Sequence, residues 1–98
     1  MSERPAVTAV VTTHNAASTI GACLRSLFAA GELAEVLVID SGSVDGGVDG
    51  LEDAFERVRV VKLGSNRGPC AARNLGAALS RTPRVLFLDD DMVLEQDV

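Results

Sequence analysis

Apolar residues follow two rhythms along this chain. Residues 7–13 (VTAVVTT) and 35–40 (EVLVID) are short runs of β-branched and aliphatic residues, apolar on both faces, as expected of strands covered from both sides. Between them Ile20, Cys23, Leu24, Leu27 and Phe28 recur at i, i+3, i+4, i+7 and i+8, which predicts a helix with one buried stripe. Ser18 is the expected N-cap and Gly31 the expected stop. Residues 41–50 hold four glycines and two aspartates, a composition that predicts a mobile loop. A short helix carrying Leu51, Ala54 and Phe55 should follow, then a third strand over 58–63 (VRVVKL). Gly68-Pro69 suits the start of a third helix with Ala72, Leu75, Ala78 and Leu79 as its buried stripe. A fourth strand over 84–88 (RVLFL) runs directly into Asp89-Asp90-Asp91.

The order β-α-β-α-β-α-β calls for a doubly wound α/β fold, Rossmann-like, with a mostly parallel sheet and right-handed crossovers. Strand order 3-2-1-4 would place the first two helices on one face and the third on the other. The third helix's face would then be undercovered, and the fourth strand would be an open edge. Only seven residues follow Asp91, too few for another βα unit, so residues 1–98 are expected to form the N-terminal portion of one larger domain.

Composition narrows the function. With 47% hydrophobic residues in 98, the chain can bury one modest core. Three Phe and neither Trp nor Tyr leave no aromatic platform for stacking sugars or bases. A net charge of -5 argues against long-range attraction to nucleic acid or anionic lipid. The opening Met-Ser-Glu-Arg-Pro lacks the basic and apolar regions of a signal peptide, and no apolar run approaches the ~20 residues needed to span a bilayer. The expected location is cytoplasmic, with membrane association through further chain left open. Cys23 and Cys70 are too far apart in sequence for a metal motif and are expected to be reduced, structural thiols in helices.

In doubly wound sheets the ligand lies outside the carboxyl ends of the strands, and here those ends are polar. The first strand ends in Thr12-Thr13-His14-Asn15, the second in Asp40-Ser41-Gly42-Ser43 and the fourth in three aspartates, while Asn66, Arg67 and Arg73 flank the start of the third helix. Adjacent carboxylates repel, and a divalent cation relieves that repulsion. Oxygen donors favour Mg2+ or Mn2+ over zinc, although a solvated turn or helix cap also fits an acidic triplet. If the extended conformation continues, Asp89 and Asp91 project to one side and Asp90 to the other. Asp40 could accept hydrogen bonds from a nucleobase or ribose, or cap a turn. Arg73, one turn into a helix, could face a diphosphate together with the free N–H groups there, or simply solvent. His14 could pack against a base or stand in water.

VVTTHN, VLVIDSGSVDG, NRGPCAARNLG and FLDDD, in this order and spacing, resemble the family 2 glycosyltransferases of the A-type fold. The resemblance covers nearly the whole chain. It implies a nucleoside-diphosphate-sugar donor, with Thr12 and His14 near the base, Asp40 beside the nucleoside and Arg73 toward the nucleotide. Asp89-Asp90-Asp91 would be the Asp-X-Asp motif, Asp91 the metal ligand, and Asp89 and Asp90 the residues orienting ribose or donor sugar. Many members carry tyrosine at the position of His14 and a second acid at that of Ser41, so the base is left open. The resemblance puts the acceptor pocket and general base in chain beyond Val98; no catalytic residue is nominated here, and the acceptor is unknown. Three other classes share parts of this pattern. A non-catalytic nucleotide-binding or interaction module shares every feature above, whereas a phosphorylation-switched receiver domain needs acids directly after the first strand, where this chain has Thr13-His14-Asn15. A dinucleotide-binding enzyme lacks its G-x-G-x-x-G here.

Overall fold

The structure is a computed structural model and describes residues 7–94; the residue 1–5 stretch read above for a leader lies outside the described residues. The elements are β1 (Val7–Thr13), α1 (Ile20–Ala30), β2 (Glu35–Asp40), α2 (Leu51–Ala54), β3 (Val58–Lys62), α3 (Gly68–Leu79) and β4 (Arg84–Asp89). All strand pairs are parallel, in the expected order β3-β2-β1-β4. The register sets Thr12 beside both Ile39 and Asp89, and Asp40 beside Lys62. The carboxyl ends of the four strands therefore lie level along one rim.

Alternation along the strands divides the core in two. Ala9, Val11, Val36 and Val38 face α1 and α2, where Ile20, Cys23, Leu24, Leu27 and Leu51 meet them. Val10, Leu37 and Ile39 face α3. Leu24, Leu27, Leu37 and Ile39 are fully buried, each worth about 1.5–3 kcal/mol of removal from water. As expected, the α3 face is the thinner one, its buried cluster being Val10, Leu37, Ile39 and Ala72; β4 is open on both faces, with Leu86 39% and Phe87 43% exposed, and among the described residues it pairs only with β1. Among them, too, no helix is long and apolar enough to cross a membrane.

Several local expectations are corrected. Thr19, not Ser18, occupies the N-cap of α1, and no side chain caps it. A backbone turn does that work, because Ala16 O accepts the N–H groups of both Thr19 and Ile20. Phe55 lies just past α2 rather than within it and stacks on Phe28 with ring centroids 5.8 Å apart. Cys23 is buried, but Cys70 is exposed in the first turn of α3, so only one of the two thiols packs into the core.

The α3 stripe is Ala72, Leu75, Gly76 and Leu79, while Ala78 faces solvent. Gly76 replaces Ala78 in the stripe because the helix backbone rests directly on Val10: a methyl group on Gly76 would collide with the Val10 side chain. Alanine normally improves a helix interior by ~1 kcal/mol over glycine, whereas overpacking a close contact costs about 1–3 kcal/mol. With the added Cβ well inside contact distance of Val10 Cγ1, the steric cost falls at the upper end of that range and outweighs the helix gain. Gly76→Ala is expected to lower stability by about 1–2 kcal/mol in urea unfolding, and a neutral or stabilising result would contradict the close packing of α3 on β1.

Candidate donor site

The level strand ends open onto a cleft of about 340 Å³ lined by Thr12, Thr13, His14, Ser41, Asn66, Gly68, Pro69, Ala72 and all three terminal aspartates. Its floor is the end of β1. The β2–α2 loop and the start of α3 form one wall, and the end of β4 forms the other. Thr12, His14, Asp89, Asp90 and Asp91, singled out from sequence, are thus brought together.

Ser41 ties the first wall together from a buried position, 4% exposed. Its hydroxyl accepts the Arg67 N–H at 2.7 Å and lies 3.2 Å from Asn66 Oδ1, to which it can donate. Its carbonyl oxygen is 2.6 Å from His14 Nδ1. A carbonyl can only accept, so Nδ1 carries the proton. Nε2 then accepts from the Asn15 amide at 3.2 Å, a consistent pair of contacts that fixes both tautomer and ring direction. Next to it, Gly42 adopts φ 76°, and any Cβ there would fall 2.8 Å from the backbone of Ser65 and Asn66. Only glycine lets these two loops touch.

The 41–50 loop, expected to be mobile from its glycines, is fastened instead. Asn15, in the left-handed region at φ 51°, donates its N–H to Ser43 Oγ and accepts the Val44 N–H on Oδ1. Asp45 accepts the N–H groups of Ala17 and Gly47, both at 2.9 Å. Glycine raises the backbone entropy that must be lost, but these side-chain acceptors take the place of water for the loop's N–H groups.

Asp40 and Arg73 are not among the residues that line the cleft. Asp40 is buried, 3% exposed, and its Oδ1 accepts the Ser43 N–H at 3.0 Å, closing the turn that presents Ser41. Arg73 contacts Asp89 through a single N–H···O pair at 3.3 Å, with both side chains about half exposed. Asp90 Oδ2 accepts the His14 backbone N–H at 3.1 Å. The expected alternation of the three acids ends at Asp89, where β4 stops; a turn closed by Met92 N–H on Asp89 O follows, and all three line the same cleft. Beneath them lies Cys23, whose Sγ is 3.6 Å from Asp89 O. Burial first, then the charges of Asp90, Asp91 and Asp89, push its thiol up to about 11, so it stays protonated and unreactive at neutral pH. Among the described residues, no three His, Cys, Asp or Glu side chains form a ready-made metal cage.

The residues that sequence reading passed over are Ser41 and Asn66 as structural ties, and Asn15 and Asp45 as fasteners. Polar residues at strand ends are a visible signal. Which of them bond to one another is not, because every partner lies on a different loop.

Asp45 supplies a pH test. The Ala17 N–H, then the Gly47 N–H, hold its carboxyl below its ordinary value of 3.8. A lowered carboxylate stabilises the loop above that ordinary value and releases it as pH falls through the folded-state value. Amide-exchange protection at Ala17 and Gly47 should therefore be constant from neutral pH down to about pH 4 and fall below it. Asp45→Asn should lower that protection already at pH 7; unchanged protection would show that Asp45 does not fasten the loop.

Known proteins share this fold. Residues 8–98 match the family described as Glycosyl transferase family 2. Succinoglycan biosynthesis protein ExoU of Rhizobium meliloti (strain 1021) is 41% identical over 85 residues, which cover 84% of this chain and 25% of that protein. Among solved structures, S. aureus TarS 1-349 in complex with UDP superposes with a TM-score of 0.79 at 28% identity, over 87% of this chain and 27% of that one. Mannosyltransferase PcManGT from Pyrobaculum calidifontis, in complex with GDP-Man and Mn2+, gives 0.81 at 27% identity, over 93% of this chain and 29% of that one. The chain spans about a quarter of the length of these relatives. It belongs to glycosyl transferase family 2, and its four-stranded sheet is an incomplete A-type glycosyltransferase fold.

Proposed function

We propose that this chain supplies the donor site of a metal-dependent glycosyltransferase that moves a sugar from a nucleoside diphosphate to an acceptor. The observation that carries this reading is the convergence of Thr12, His14, Ser41 and Asp89–Asp91 on one cleft at the carboxyl rim of a parallel sheet. The relatives solved with UDP, and with GDP-Man and Mn2+, support the same ligand class. Thr12 and the fixed imidazole of His14 take the base side. Asp40 serves the nucleoside by holding the turn that carries Ser41, Arg73 takes the nucleotide's anionic part, and Asp89 and Asp90 orient ribose or donor sugar.

The donor set suits a divalent cation. Asp90 gives one carboxylate oxygen to the His14 N–H and Asp89 one to Arg73; Asp91 is exposed on the cleft, and the family resemblance makes it the residue that would hold Mg2+ or Mn2+. One or two carboxylates together with substrate phosphates would suffice to hold such an ion. Such an ion stabilises negative charge developing on the leaving diphosphate. The acceptor site and general base belong, in this reading, to chain beyond these 98 residues.

Calorimetric titration of UDP and of GDP into the protein tests the reading. Binding should tighten about tenfold or more on adding Mn2+, a difference of ~1.4 kcal/mol, and Asp91→Ala should remove most of that gain. Equal Mn2+-dependent heats in the native protein and Asp91→Ala would overturn the assignment of Asp91, and no binding of either nucleotide with Mn2+ would overturn the donor site.

A further inference from the structure

The charges around the cleft are unbalanced. Three carboxylates line it, and no lysine or arginine is among the lining residues. Arg73, one residue after the lining Ala72, is turned onto Asp89. A bare nucleoside diphosphate would therefore meet like charge, with its natural counter-ion already occupied.

The geometry of that occupancy matters. The Arg73–Asp89 contact is one N–H to one oxygen at 3.3 Å, with the side chains 42% and 55% exposed. It is not the two-point fork by which guanidinium groups grip carboxylates or phosphates most strongly. Exposed pairs of this kind contribute little and exchange readily. Arg73 also sits on the first turns of α3, one residue after Ala72, which lines the cleft.

Taking the donor-site reading as its basis, we infer that Arg73 and Asp89 are an exchangeable counter-ion pair that makes metal and diphosphate binding cooperative. With the cleft empty, Asp89 holds Arg73 and blunts its attraction for anions. Positive charge arriving at the acidic cluster competes for Asp89 and frees the guanidinium for a phosphate oxygen. Each ligand thus removes a cost that the other would otherwise meet, and the coupling is reciprocal. Arg73 acts here as a positioning residue for the diphosphate, with Asp89 as its gate.

The test separates partner exchange from simple loss of charge. Metal-free UDP affinity is measured by calorimetry for the native protein, Asp89→Asn and Asp91→Asn. Both variants remove one negative charge from the cleft and keep a side-chain oxygen that can accept a ribose hydroxyl, but only Asp89→Asn releases Arg73. Exchange predicts metal-free UDP binding about two- to five-fold tighter in Asp89→Asn than in Asp91→Asn. That surplus should vanish in the Arg73→Gln background, return in part with Arg73→Lys and shrink in 0.5 M salt, where exposed charges are screened. Equal gains in the two Asp→Asn variants, or a surplus that persists without Arg73, would overturn the proposal while Mn2+-dependent binding to the native protein left the donor site standing. If the native protein bound no nucleotide even with Mn2+, both would fall.

Discussion

Ser41 is bonded on two sides at once, and the cleft depends on it. Its carbonyl oxygen fixes the His14 ring at the end of β1, and its hydroxyl takes the Arg67 N–H at the entrance to α3. Three loops leave the rim of the sheet after β1, β2 and β3, and without such ties each would satisfy its backbone with water. Bonded to one another they form a single wall, against which the acidic end of β4 is set by the Asp90 contact to His14. Preorganisation of this kind reduces the ordering that a ligand must otherwise impose.

That wall is carried by the sheet below it. β1 is central, buried on both faces, and the parallel register brings its Thr12 level with Asp89 on one side and Ile39 on the other. α3 approaches β1 closely enough that only Gly76 fits over Val10, which brings its first turn down to the rim where Gly68, Pro69 and Ala72 line the cleft. Core packing and site geometry are therefore one problem: displacing α3 outward would also move Arg73 away from Asp89.

Much of this was legible in the sequence because the signals are local. Short apolar runs rich in β-branched residues, such as EVLVID, suit strands covered on both faces, the Ile20–Phe28 stripe has helical period, and polar strand ends mark a ligand rim. Expectations missed where distant chain decides. Ala78 and Gly76 are equally small, and which one faces β1 depends on where the helix rests. Ser18 has the chemistry of a cap, but the Ala16 carbonyl supplies the turn. The glycine-rich loop looked mobile because Asn15 and Asp45, which fasten it, act across loops. Asp89–Asp91 looked alternating because the sequence does not mark where β4 ends. The importance of Ser41 lies in its partners rather than its chemistry.

The central claim, that one bonded rim receives one ligand, is most directly read from backbone amide shifts of the 15N-labelled protein titrated with UDP and diamagnetic Mg2+. The account predicts that His14, Ser41, Arg67 and Asp90 shift together along a single binding curve. Shifts confined to the opposite end of the sheet, around Leu33 and Arg57, or separate curves for Ser41 and Asp90, would contradict it.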